Sequence, residues 1–295
     1  MKDTRVLIVT PMHNEQSNIG ELAVSLSNLS FRAFDWVVVD DGSTDDSVAR
    51  LKDKDGIQRA RLEVRRNQGM LIGGSAFSAW RHGVDTVGDL AGYTHIMKLD
   101  ADVRLPSDYF ELVLDKFSDG VGIAGGVIEN PEMREQRLHV PGPVKLYSVD
   151  AYEMLDELPS AVGFDVMDEV AIQQRGLSVE VVASARFQLA RAIGASQGGL
   201  HGRFRNGRVC RWTGYDPVYF ALHFVRYLAR RPYIIGSFAM LRGFVTAGPG
   251  PYASELKRAH RRTQREKLAR AVRSPVSWVR NTYGIGLKGE APDAI

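Results

Sequence analysis

Along the first part of the chain, short apolar runs at residues 5–10 and 36–39 alternate with helix-length amphipathic stretches at 18–29 and 43–51. That alternation is a βαβα pattern. It continues with a predicted strand at 60–65, a helix at 69–87, a strand at 94–99 and a helix at 108–117. These elements predict an α/β fold built on a mostly parallel sheet flanked by helices. Ser43 or Thr44 is placed to cap the helix that follows Asp41, with Asp45 and Asp46 at the positive end of its dipole.

The composition agrees with such a fold. With 295 residues, 44% apolar and 25% charged, the chain can bury a substantial core. The lone Cys210 excludes an internal disulfide and any multi-cysteine zinc site. The apolar run at 6–9 near the start is too short for a signal peptide. A cytoplasmic location is therefore expected.

The net charge of +3 hides an asymmetry. Residues 1–185 carry 18 Lys and Arg against 30 Asp and Glu, whereas residues 186–281 carry 19 against 3. A basic half can serve nucleic acid, an anionic membrane or phosphorylated substrates. The expected division is a catalytic domain at 1–200, a basic and partly apolar helical extension at 201–281, and a flexible tail at 282–295.

Two apolar runs end in carboxylates: Asp40-Asp41-Gly42-Ser43-Thr44-Asp45 after residues 36–39, and Asp100-Ala101-Asp102 after 96–99. Ligands of open α/β sheets bind at the carboxyl ends of the strands, and hard cations take oxygen ligands. The first cluster is also ordinary strand-to-helix turn chemistry, but Asp40 and Asp41 exceed what a cap needs. The first strand leads into Thr10-Pro11-Met12-His13-Asn14-Glu15 without a glycine fingerprint, and no Walker A loop is present. Dinucleotide and P-loop chemistry are disfavoured, which leaves a Mg²⁺ or Mn²⁺ ion to neutralise phosphate charge. Asp100 and Asp102 converge on one side if strand geometry persists to residue 102.

Four ordered motifs now resemble the inverting family 2 glycosyltransferases, which have the GT-A fold: residues 11–19 its P-x-x-N-E segment, 37–45 its VVDDGSTD, 66–69 its R-N-x-G and 99–102 its L-D-A-D. The resemblance covers about residues 5–185. It implies a Rossmann-like nucleotide-binding half in which Pro11, Glu15, Asp40 and Asp41 hold the base and ribose of a nucleotide sugar. Asn14, Asn67, Gly69 and Ala101 belong to the same motifs; Asp100 is expected near the ribose and Asp102 on the metal.

A base for the acceptor hydroxyl is expected within Gly163-Phe164-Asp165-Val166-Met167-Asp168-Glu169. The family's Glu-Asp, followed six residues later by Arg, here reads Asp168-Glu169 with Arg175. Registration favours Glu169 and residue type favours Asp168; Asp168 is taken first, Glu169 next and Asp165 third. Acidic residues also suit a helix N-terminus. No Ser-His-Asp or Cys-His arrangement is visible, and a single displacement by the acceptor inverts the anomeric carbon without an enzyme nucleophile. The Pro-rich stretch 139–147 is expected to form an acceptor-side loop in which Lys145 and Tyr147 meet the acceptor. His13, His139 and His201 are scattered and read as surface or packing residues.

In the basic half, residues 215–229 and 233–246 are aromatic and aliphatic, yet each is shorter than the roughly 20 apolar residues a spanning helix needs. Bordered by Arg226, Arg230, Arg231 and Arg242, they fit interfacial helices on anionic lipid, or helices packed on the sheet. Residues 208–212 (RVCRW) resemble the Q-x-x-R-W motif of processive relatives except in the first residue, so processivity is not expected. The basic stretch 255–273 lacks interleaved aromatics and zinc spacing, so nucleic acid is not an expected partner.

The resulting expectation is a metal-dependent inverting transferase moving a sugar from a UDP-, GDP- or dTDP-sugar to a hydroxyl, on a lipid-linked or cell-envelope glycan, with peripheral attachment to the inner face of the cell membrane. The alternatives are a noncatalytic lipid-surface module of the same fold and a sugar nucleotidyltransferase. The latter normally carries a glycine-rich basic loop after its first strand, absent from residues 10–18.

Overall fold

The computed structural model describes residues 4–52, 60–64, 74–118, 120–129, 139–191, 199–228 and 232–276. Their contacts form two compact units, one within Met1–Ala190 and the other within Arg191–Asn281.

The first unit contains eight strands: β1 (Val6–Met12), β2 (Phe34–Asp40), β3 (Ala60–Val64), β4 (His95–Leu99), β5 (Val103–Arg104), β6 (Val121–Ile128), β7 (Val144–Ser148) and β8 (Ser178–Leu189). They form one sheet in the order β3-β2-β1-β4-β7-β6-β8-β5. Its helices are α1 (Ile19–Ser27), α2 (Ser47–Lys52), α3 (Gly74–Asp85), α4 (Tyr109–Leu114), α5 (Val149–Glu153) and α6 (Phe164–Gln174). Strands β3, β2, β1 and β4 are parallel, as the sequence pattern predicts, and β1, β2 and β4 bury both faces. On one face Ile8, Trp36 and Val38 pack with Leu22 and Leu26 of α1 and Phe110 of α4. On the other, α3 lies so close that a Cβ on Gly83 would come within 2.5 Å of Val9 Cγ1.

The mixed half departs from the expectation. Part of the 139–147 stretch, read from its prolines as loop, belongs to β7, which is antiparallel to both β4 and β6 at the centre of the sheet. Pro141 and Pro143 lie just outside the strand, where no ladder donor is lost. Two further details differ. Helix α2 begins at Ser47, with Asp45 accepting from the Ser47 N–H at 3.0 Å, so neither Ser43 nor Thr44 caps it. Strand β4 ends at Leu99, and a turn closed by Val103 N–H to Asp100 O carries Asp100-Ala101-Asp102, so strand alternation does not orient that pair.

The second unit is helical: α7 (Gly199–Trp212), α8 (Pro217–Leu228), α9 (Tyr233–Thr246) and α10 (Ser254–Arg273). Helices α7 and α9 touch backbone to backbone, since a Cβ on Gly207 would lie 1.8 Å from Met240 O and one on Gly243 would lie 1.9 Å from Phe204 O. Phe220 of α8 stacks on Phe244 of α9 with centroids 4.0 Å apart. Helix α10 is tied on by polar bonds: Arg265 donates to Asp216 at 2.7 Å, Gln264 accepts from the Asp216 N–H, and buried His260 bonds Thr213 O at 2.8 Å. No helix among the described residues is long and apolar enough to cross a membrane.

In β6 a Cβ on Gly126 would sit 1.9 Å from the Ala185 carbonyl oxygen of β8, while its N–H donates to the Tyr109 hydroxyl at 2.9 Å. Gly126→Ala is expected to lower stability by about 1–3 kcal/mol through overpacking. Urea unfolding should show a lower midpoint with an unchanged slope.

Candidate active site

The carboxyl ends of β1 and β2 are adjacent, with Met12 opposite Asp40, and the loops beyond them are stitched together. Asn14 adopts a left-handed φ of 56°, a conformation that asparagine tolerates better than most residues. Its N–H donates to Ser43 Oγ at 3.0 Å, and its side-chain oxygen accepts from the Thr44 N–H at 2.8 Å. The Glu15 N–H donates to Ser47 Oγ and the Gln16 N–H to Asp45. Asp40 accepts from the Ser43 N–H, and Asp41, buried, accepts from the Ser75 hydroxyl at the start of α3. The structure thus brings Pro11, Asn14, Glu15, Asp40 and Asp41 to one rim. Asn14 is committed to holding that rim together. Asn67 and Gly69 lie outside the described residues.

The second rim follows β4. Asp100 pairs with Lys98, whose ammonium also donates to Gly142 O at 3.0 Å. The Asp100 N–H donates to Pro143 O at 2.9 Å. Its side chain is 32% exposed, whereas Lys98 is 2% exposed. Burial raises the pKa of Asp100; Lys98 opposes the rise, and the charges of Asp102 and Asp165 add to it. Three carboxylates therefore share one electrostatic neighbourhood. Ala101 is buried and Asp102 partly exposed. Lys98, absent from the expected site, was visible as a charge inside the apolar run of β4, where an unpaired lysine would be costly.

Opposite Lys98 in the β4–β7 ladder stands Lys145. It is fully buried, donating to Asp168 Oδ1 at 3.0 Å, to Glu169 Oε1 at 2.9 Å and to the Asp165 carbonyl at 2.5 Å. Tyr147 donates to Asp168 Oδ2 at 2.6 Å, and the Val140 N–H to Glu169 Oε1 at 2.9 Å. Although burial alone would lower the pKa of Lys145, Asp168, Glu169 and Asp165 raise it. Burial pushes Glu169 up to about 7, with Lys145 pulling down and Asp168 pushing up.

This network corrects two expectations. Lys145 and Tyr147 are buried residues of β7 and hold carboxylates of α6, so neither is placed to meet an acceptor. Asp168, taken first as the base, is fully enclosed and spends its oxygens on Lys145, Tyr147 and its neighbour's N–H; Glu169 is similarly held. The partly exposed carboxylate of α6 is Asp165, one turn earlier. A Cβ on Gly142 would lie 3.0 Å from its Oδ2, and Gly142 is the residue whose carbonyl Lys98 holds beside Asp100. A polar rim, an acidic turn and an outward carboxylate on α6 are thus built along one edge of the sheet.

Residues 7–167 match the family model described as Glycosyl transferase family 2, more than half of the chain. The chain belongs to glycosyl transferase family 2. Undecaprenyl-phosphate 4-deoxy-4-formamido-L-arabinose transferase of Enterobacter sp. (strain 638) is 28% identical over 132 residues, which are 43% of this chain and only 37% of that protein. Among solved structures, mannosyltransferase PcManGT from Pyrobaculum calidifontis in complex with GDP-Man and Mn²⁺ superposes with a TM-score of 0.56 at 19% identity, covering 95% of this chain and 88% of that one. GalNAc-T7 with UDP, GalNAc and Mn²⁺ gives a TM-score of 0.62 at 15% identity over 92% of this chain and 57% of that one. These likenesses establish a GT-A fold for the glycosyltransferase.

The raised pKa of Glu169 has a measurable consequence. The folded protein holds its proton to about pH 7, whereas the unfolded chain releases it near the ordinary value of 4.5. The contribution of Glu169 to stability is therefore greatest below that ordinary value, falls as pH rises through this window, and levels off above it. Glu169→Gln should remove a loss on the order of 2–3 kcal/mol between pH 5 and pH 8, seen as the difference between wild-type and variant urea midpoints at the two pH values.

Proposed function

We propose that this glycosyltransferase transfers a sugar from a nucleotide-diphosphate donor, with inversion and with a divalent cation, to an acceptor carried on a polyprenyl-type lipid. The observation that carries the reading is the sheet edge at which Asp40 ends β2 and Asp41 follows it, while the Asp100–Asp102 turn shares its charge neighbourhood with Asp165. The donor class is supported by the nucleotides named with the fold neighbours, GDP-Man and UDP. The lipid is supported by the undecaprenyl-phosphate in the name of the partial relative.

An oxygen-only donor set suits Mg²⁺ or Mn²⁺, which are bound through one or two carboxylates together with substrate phosphates. Asp102, assisted by Asp100, is assigned to hold the ion. When bound, it offsets the negative charge that builds on the departing diphosphate.

The protein's own residues supply the remainder. Asp40 and Asp41, fixed by Ser43 and Ser75, present carboxylate edges to the base and ribose. Lys98 holds Asp100 and the 141–143 turn in one position. Asp165 accepts the proton of an acceptor hydroxyl as its oxygen bonds to the anomeric carbon, and the electron pair of the breaking C–O bond leaves with the diphosphate. Lys145 acts beneath it, fixing the first turn of α6 through the Asp165 carbonyl.

Asp102→Ala should abolish Mn²⁺-stimulated release of nucleotide across a panel of UDP-, GDP- and dTDP-sugars while leaving the melting temperature unchanged. No metal-stimulated release by the wild type with any donor would overturn the metal-dependent reading.

One alternative acceptor is favoured by the relative's name: the phosphate oxygen of the polyprenyl phosphate itself, which carries no proton to remove. The two acceptors separate on Asp165→Asn. Transfer to a hydroxyl should fall by about 10²–10⁴, whereas transfer to a lipid phosphate should retain most of its rate. The anomeric configuration of the product, read by NMR, checks inversion in both cases.

A further inference from the structure

The α8–α9 pair presents an apolar outer face that the described packing leaves uncovered. Val218, Leu222 and Val225 recur on α8 at spacings of four and three, while Ile234, Ile235 and Phe238 line the first half of α9. Leu222 is 54% exposed, Ile235 68% and Phe238 56%. The opposite side of each helix is the packed one: Phe220 stacks on Phe244, and Met240 is buried with Cys210. Phe224 meets Phe238 edge to face, so the two helices share one surface. Apolar side chains clustered this way on two adjacent helices mark an interaction surface.

Charge selects the occupant. Arg226 on α8 and Arg242 on α9 are exposed beside the apolar residues, and residues 186–281 hold 19 Lys and Arg against 3 Asp and Glu. The helices, of 12 and 14 residues, are too short to span a bilayer. Apolar residues bordered by cations on short helices match a bilayer interface, where the side chains enter the acyl boundary and the arginines meet lipid phosphates. A protein partner of ordinary mixed charge is matched less well by so one-sided a balance.

We propose that the α8–α9 face is a membrane-docking surface, inserting Leu222, Ile234, Ile235 and Phe238 into the headgroup boundary of an anionic bilayer. This deepens the lipid-acceptor reading by naming the surface through which the enzyme would reach its acceptor, yet it stands on observations independent of the catalytic edge.

The test is sedimentation of the full chain with vesicles of phosphatidylglycerol and phosphatidylcholine, and with phosphatidylcholine alone. The wild type should sediment with the anionic vesicles, less so as salt rises. The Leu222→Ser/Ile235→Ser/Phe238→Ser variant should bind at least about ten-fold more weakly, from the lost apolar transfer, with an unchanged circular dichroism melt because these side chains are exposed. Arg226→Glu/Arg242→Glu, which keeps the apolar face, should lose the preference for anionic lipid. Failure of the wild type to sediment, or equal binding by the triple variant, overturns the proposal. So does a wild-type dimer that the triple variant converts to monomer without vesicle binding, since the face would then join two copies. Metal-stimulated donor hydrolysis in solution, measured in parallel, is unaffected by this face; its absence counts against the catalytic reading alone.

Discussion

A lysine ammonium enclosed beneath the sheet is the constraint on which the candidate site depends. Lys145 cannot stand there uncompensated, because the penalty for desolvating a lone charge is several kcal/mol. Asp168 and Glu169 surround it, Tyr147 adds a second donor to Asp168 Oδ2, and the Asp165 carbonyl takes a further donor bond. A buried ion pair of this kind is weak evidence of added stability, but it is geometrically demanding. Its partners sit on β7 and on the first turns of α6, so satisfying the charge sets where that helix begins against the sheet. The same bonds that enclose Asp168 and Glu169 leave Asp165 facing outward.

Lys98, across the ladder, fixes the neighbouring element in the same way. One ammonium joins the carboxylate of Asp100 to the carbonyl of Gly142, and the absence of a side chain at Gly142 admits Asp165 alongside. Two buried lysines at one register position of β4 and β7 thus hold an acidic turn and a carboxylate-bearing helix in fixed places. At the other rim the work is done by amide and hydroxyl groups with one carboxylate: Asn14, Ser43, Asp45 and Ser47 exchange bonds between two loops that follow parallel strands. Fixed dipoles and pre-paired carboxylates suit the proposed transfer, in which charge would leave with a diphosphate.

The second unit follows a different physical logic. Its helices approach through glycine, bury few large side chains and show apolar residues outward beside arginine. Apolar area left in water forgoes the transfer free energy that drives the rest of the fold, so among the described residues a face of this kind marks an interaction surface. Polar bonds from Asp216, Gln264, Arg265 and His260 secure α10 instead of a large apolar core.

Much was legible in the sequence because it is local. The alternation of apolar runs and amphipathic stretches determined the parallel strands β1 to β4 and their helices, and four ordered motifs determined the family; periodicity and motif spacing need no knowledge of distant contacts. The acidic clusters marked the sheet edge at which the candidate site is built, and the charge asymmetry announced the basic half. Tertiary structure alone decided which carboxylates face solvent. Asp165, Asp168 and Glu169 lie within five residues on one helix, and nothing local distinguishes them; burial of Lys145 from β7, 20 or more residues away in sequence, does. It also decided that residues 144–148 are a central strand, since prolines at 141 and 143 read locally as loop while the open ladder positions of β4 and β6 required a partner.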